Sequence, residues 1–74
     1  MKPLPTNIKP HQLIKALERN DFVQKKARGS HHRLVHPDGR WTQVAVHPKP
    51  VPAGTLRKIL SQAEISIEQL EKSL

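Results

Sequence analysis

The chain has no cysteine and no tyrosine, and only one phenylalanine and one tryptophan. Without cysteine there is neither a disulfide framework nor a thiolate metal site. No apolar run approaches the roughly 20 residues that cross a bilayer, and the N-terminal residues lack an apolar signal core. No helical segment pairs a basic face with a large aromatic one, which argues against a membrane-surface role. A soluble, cytoplasmic protein with no membrane partner is therefore expected. Walker-type phosphate loops and glycine-rich dinucleotide fingerprints are also missing. Acidic residues are scarce, with six Asp and Glu against 13 Lys and Arg, for a net charge of +7. Three of the six, Glu64, Glu68 and Glu71, sit near the C-terminus, so the rest of the chain is strongly cationic. That imbalance implies a surface facing a polyanion, with nucleic acid foremost. A chain of 74 residues is one domain, and at this size it buries only about 60% of the surface its unfolded form exposes.

Hydrophobic periodicity gives the organisation. Residues 1–9, with Pro3 and Pro5, read as a tail ahead of a domain over 10–74. From Pro10, which suits a first helical turn, Leu13, Ile14 and Leu17 recur at helical spacing until Asn20-Asp21. Such a short helix needs a sheet to lie on. Strands are expected at Phe22–Ala27, His31–His36 and Trp41–Val46, with Thr42, Val44 and Val46 on one face. Pro37-Asp38-Gly39-Arg40 is a hairpin turn: proline presets φ, and Asp-Gly tolerates positive φ. Residues 47–53 hold three prolines and form an extended crossing loop. A second helix follows over about 54–63, with Leu56, Ile59 and Leu60 as its buried stripe. Ser66 to Gln69 is a capping box opening a last short helix to Leu74. The resulting class is α+β in the order α-β-β-β-α-α. It is a single small domain with a three-stranded antiparallel sheet and helices on one face, as in the double-stranded-RNA-binding fold.

Five histidines in so short a chain are the candidate chemistry, four of them (His31, His32, His36, His47) in or beside the sheet. With an ordinary pKa near 6.5, a histidine can take a ribose 2′-hydroxyl proton or protonate a leaving 5′-oxygen at neutral pH. Lys25, Lys26, Arg28, Arg33 and Arg40 can hold phosphates around such a step. Alternation sets His32 with Leu34 and His36, and His31 with Arg33 and Val35. The residues alone leave open which set faces the helices. If Leu34 does, His32 must lie at the sheet margin to be reached. A metal site is not expected: His32 and His36 are roughly 13 Å apart along a strand, and Asp38 is occupied by its turn. Trp41 reads as packing, with base stacking as the other possibility. Arg57 and Lys58 are either solvated or phosphate-binding.

The run from Gly29-Ser30-His31-His32 through Pro37-Asp38-Gly39-Arg40 resembles the core signature of HicA-like (YcfA-like) mRNA interferase toxins. Gly54-Thr55-Leu56-Arg57 through Ala63, followed by Ile65-Ser66, resembles that family's second block. His47 and Lys49 between them also fit, so the likeness extends from about residue 10 to the end. It implies translation-independent cleavage of single-stranded mRNA by a toxin of a type II toxin-antitoxin pair, with no cofactor and with neutralisation by a HicB-like antitoxin. The family's catalytic histidine follows the Gly-Ser pair by two positions, which maps onto His32 and leaves His31 as its variable neighbour. Gly29 and Ser30 would then let substrate approach and orient phosphate, beside Lys25, Lys26, Arg28, His31 and Arg33. The alternative is a non-catalytic RNA-binding module of the same fold, which needs the cations but no histidine. The chain departs from the family pattern in lacking a proline before His47 and in having Pro50, not an acid, after Lys49.

Overall fold

The helical stripe that begins at Pro10 buries more residues than either later helix. In the computed structural model, which describes residues 3–74, α1 spans Pro10–Arg19 and buries Leu13, Ile14, Ala16 and Leu17. Its first turn is closed by the Gln12 side chain, whose Oε1 accepts from the Lys9 N–H at 2.8 Å. Asp21 then takes a positive φ of 70°, and the chain turns so that the Phe22 N–H reaches the Leu17 carbonyl at 3.1 Å.

Three antiparallel strands follow in the order β1 (Val23–Arg28), β2 (His31–Val35) and β3 (Trp41–Ala45), with β2 central. The helices α2 (Ala53–Ala63) and α3 (Ile67–Ser73) complete the predicted α-β-β-β-α-α order. Helix α1 packs over β2 and β3, α2 over β3, and α3 against α1. The inward face of the sheet is Leu34, Thr42 and Val44, each 1% exposed or less. The Leu34 set thus faces the helices, and Val35 lies on the outer face. These side chains join Leu13, Leu17, Leu56, Ile59 and Leu70 in a single core, each large apolar side chain contributing about 1.5–3 kcal/mol by burial. Among the described residues Thr42 is the one buried polar residue, and its hydroxyl donates to Gln62 Oε1 at 2.8 Å. A buried hydroxyl left without a partner would cost about 1–3 kcal/mol.

Several local expectations change. The segment before Pro10 contributes to the core, since Ile8 is 6% exposed and its carbonyl accepts from the Val51 N–H at 2.7 Å. The hairpin turn is tight as expected, but only Gly39 has positive φ, at 101°. With Pro37 second in the turn and Gly39 fourth, this is a type I turn closed by a left-handed glycine. Trp41 is not core packing. It lies on the outer face, 47% exposed. The capping box is present: the Gln69 N–H donates to Ser66 Oγ at 3.1 Å, and the Ser66 N–H to Gln69 Oε1 at 3.2 Å.

Candidate functional site

Strand β1 is one of the two edge strands of this sheet, and the one over which no helix packs closely. All six of its residues are exposed, and its ladder runs only to β2. The register makes this edge chemically asymmetric. Val23 pairs with Val35 and Gln24 with Leu34, but the next pairs are Ala27 with His32 and Arg28 with His31. Lys25 and Lys26 therefore share the space opposite Arg33, a β-bulge that shifts the phase of alternation. Beyond the bulge Ala27 stands on the helix side and Arg28 on the outer side. Both lysines and Arg28 come to line the same outer depression as His31 and Arg33.

His32 is on the other face. It shares its side of β2 with buried Leu34, yet it is itself only half-buried, because no helix packs closely over β1. Its Nδ1 lies 2.6 Å from Gln24 Oε1. An amide oxygen can only accept, so Nδ1 carries the proton in this bond and Nε2 is the free nitrogen. In a neutral His32 with this tautomer the lone pair is on Nε2.

The turn joining β1 to β2 holds this face in position. Gly29 has a φ of 56°, and a Cβ placed there would meet nothing within 4 Å. The requirement for glycine here is conformational, not one of space. The Ser30 carbonyl accepts from the Val46 N–H at 2.7 Å, tying the turn to the end of β3.

The remaining sequence candidates separate from His32. His31, Lys25, Lys26, Arg28 and Arg33 gather on the outer face. His36 belongs to the hairpin: its Nδ1 accepts from the Asp38 N–H at 3.1 Å, and its ring meets Phe22 edge-on at 5.1 Å. Arg40 binds Asp38 Oδ2 through Nε at 2.8 Å and reaches the Ala63 carbonyl at the end of α2 through a guanidinium nitrogen. The Arg40 backbone N–H, then the Arg40 side chain and His36, hold the Asp38 carboxyl below its usual value of 3.8. His47 and Lys49 are exposed in the proline loop. Among the described residues no three His, Asp or Glu side chains come together as a metal cage, and no helix is long and apolar enough to cross a membrane. Gln24 carried no sequence signal of its own. Its alternation with His32 across the first turn was the only available hint.

Residues 10–65 match the family model described as the HicA toxin of bacterial toxin-antitoxin. The chain belongs to the HicA toxin family. A search of curated proteins found no match. The family match runs from the first residue of α1 to Ile65 just after α2, and so includes the whole sheet and both histidines at the start of β2. As a HicA-family chain, this protein takes the toxin role of a toxin-antitoxin pair, which entails an antitoxin partner. Helix α3 lies beyond the matched residues, yet it seals the fold through Leu70, 1% exposed. Its end is bound to α1 by Asn20 Nδ2, which donates to Ser73 Oγ at 2.8 Å.

Proposed function

We propose that this HicA-family toxin is an endoribonuclease that cuts single-stranded mRNA, with His32 as its catalytic residue and residues 10–74 as the cleaving unit. The observation that carries the reading is the Gln24–His32 hydrogen bond on the uncovered edge. It leaves an oriented imidazole nitrogen within reach of a strand lying over β1. His32 Nε2 takes the proton of a ribose 2′-hydroxyl as the 2′-oxygen attacks the adjacent phosphorus. The P–O5′ bond breaks, and the proton held by the imidazolium passes to the departing 5′-oxygen. The products are a 2′,3′-cyclic phosphate and a free 5′-hydroxyl. The chemistry is routed through the protein alone, without a cofactor. Lys25, Lys26, Arg28, His31 and Arg33 hold phosphates on the outer side of the same edge, and Gly29 and Ser30 set the turn past which the strand bends. A HicB-like antitoxin neutralises the activity by covering the open edge.

The test is incubation of the purified chain and its His32→Ala variant with single-stranded RNA in EDTA, followed by gel analysis of products and their end groups. Cleavage by the parent alone, leaving cyclic phosphate ends, is expected. Equal cleavage by both proteins overturns the assignment of His32. Intact RNA with a shifted band on a native gel supports a non-catalytic RNA-binding module instead.

A further inference from the structure

The outer face of the sheet carries more than the catalytic reading uses. Lys25, Lys26, Arg28 and Arg33 line one depression, which His31 and Gln43 share with a second depression reaching Trp41 on β3 and Lys58 on α2. The two are continuous and cross all three strands. No aspartate or glutamate lines either one. Among the described residues, Lys25, Lys26, Arg28 and Lys58 have neither an ion pair nor a side-chain hydrogen bond, whereas Arg40 and Asp38 satisfy each other at the hairpin. The Arg33 guanidinium lies over the Trp41 ring, 4.4 Å from its centroid, and the indole is 47% exposed.

We propose that this face is a binding track for a single-stranded nucleic acid, running from Lys58 past Trp41 and Arg33 to the bulged lysines. The cations supply unpaired donors for phosphates, and the Arg33–Trp41 stack offers a plane onto which an unstacked base can be laid. A duplex has no free base faces for that stack. Protein interfaces are depleted of lysine, whereas Lys25, Lys26 and Lys58 line this face, and among the described residues its exposed large apolar side chains are Val23 and Trp41. The link to cleavage rests on the proposed RNase reading: the strand leaves the track at β1, bends over its uncovered edge and meets His32 on the far side. The β-bulge is what makes the track. Strict alternation would send one of each adjacent pair of β1 cations to the helix side, whereas the extra residue collects Lys25, Lys26 and Arg28 on one face.

The experiment uses a fluorescein-labelled 12-nucleotide oligodeoxyuridylate, which has no 2′-hydroxyl to cut, with anisotropy read across a salt series. The full chain is compared with its Lys25→Gln/Lys26→Gln/Arg28→Gln, Lys58→Gln, Trp41→Ala and Lys15→Gln variants. The triple variant is expected to bind at least ten-fold more weakly at low salt, with a log–log salt slope shallower by about 2, and Lys58→Gln by about 0.7. Trp41→Ala is expected to weaken binding about five-fold or more with the slope kept, as stacking loss predicts. Lys15→Gln, on the exposed side of α1, leaves binding unchanged. Circular dichroism confirms folding of each variant, and all these side chains are exposed. A triple variant that binds with the parent's affinity and slope overturns the track. So does a parent that ignores the oligonucleotide at low salt but takes up poly-L-glutamate through these lysines, which assigns the face to an acidic protein. The track and the catalytic reading fail separately. Oligonucleotide binding with no cleavage of RNA removes only the RNase, and cleavage with an unchanged salt slope removes only the track.

Discussion

Gln24 and His32 meet diagonally across the β1–β2 ladder, with Oε1 2.6 Å from Nδ1. Gln24 itself pairs with Leu34, and His32 with Ala27. This contact fixes which imidazole nitrogen is free, so it makes Gln24 a positioning residue for the proposed base. Gln24→Ala is expected to lower kcat about ten-fold or more with little change in KM, within the 10²–10⁴-fold that acid–base catalysis supplies. Gln24→Glu keeps an acceptor and restores much of the rate. Its negative charge favours the protonated ring, so the rising limb of the rate–pH curve moves to higher pH. A pH profile of both variants checks this, because a merely structural role would not shift the limb.

The two adjacent histidines are on opposite faces and so should separate in kinetics. His32→Ala is expected to reduce kcat about 10²–10⁴-fold, whereas His31→Ala, among the outer-face cations, raises KM and leaves kcat within a few-fold. Single-turnover cleavage at saturating protein distinguishes the two. A larger kcat loss at His31 would exchange their roles.

Asp38 makes the hairpin acid-sensitive. Hydrogen bonding from Arg40 lowers its folded-state pKa below 3.8. Its stabilising contribution is therefore fully present above that ordinary value and is lost as pH falls through the lowered one. Thermal melts of Asp38→Asn against the parent should differ at pH 7 and converge in acid. A difference that persists in acid would mean that the carboxylate charge is not what matters.

Glu64 ends α2 in the left-handed region, with φ 55° and ψ 44°. Around it the Ile65 N–H reaches the Leu60 carbonyl at 3.1 Å, and the Glu64 N–H the Ser61 carbonyl at 3.2 Å. This is the Schellman arrangement, in which glycine is the usual occupant. A non-glycine residue in this region costs about 1–2 kcal/mol, partly offset by the greater unfolded freedom of glycine. Glu64→Gly should stabilise the chain by up to about 1 kcal/mol, a melting shift of roughly 4–8 °C for a domain this size. Calorimetry of the two proteins measures it.

What could be read from the sequence was whatever local chemistry decides. The Pro37–Gly39 turn, the Ser66–Gln69 cap and the Leu13–Leu17 stripe are each set by a few neighbouring residues, and each forms where expected. The family likeness was carried by two contiguous blocks and matches the family found. The bulge at Lys25 and Lys26 was not legible, because an extra residue in one strand is a property of pairing and leaves no mark in that strand's composition. Consequently the face of Arg28 and the partner of His32 were out of reach. Trp41 was misjudged for a related reason. Its place opposite Val35 follows from the choice of Leu34 as the inward residue, and alternation alone gives two equally regular answers. Thr42 and Val44 then settle that choice by joining Leu34 in the core.

The exposure of all six β1 residues has an evolutionary consequence. Three of the cations proposed to touch substrate, Lys25, Lys26 and Arg28, sit on the strand that contributes least to the hydrophobic core, while the residues that hold the domain together lie in the helices and on β2 and β3. Sequence drift along β1 can therefore retune substrate preference, or escape one inhibitor and meet another, without first spending the small stability of a 74-residue chain. That part of recognition can diversify on a strand that does little to preserve the fold.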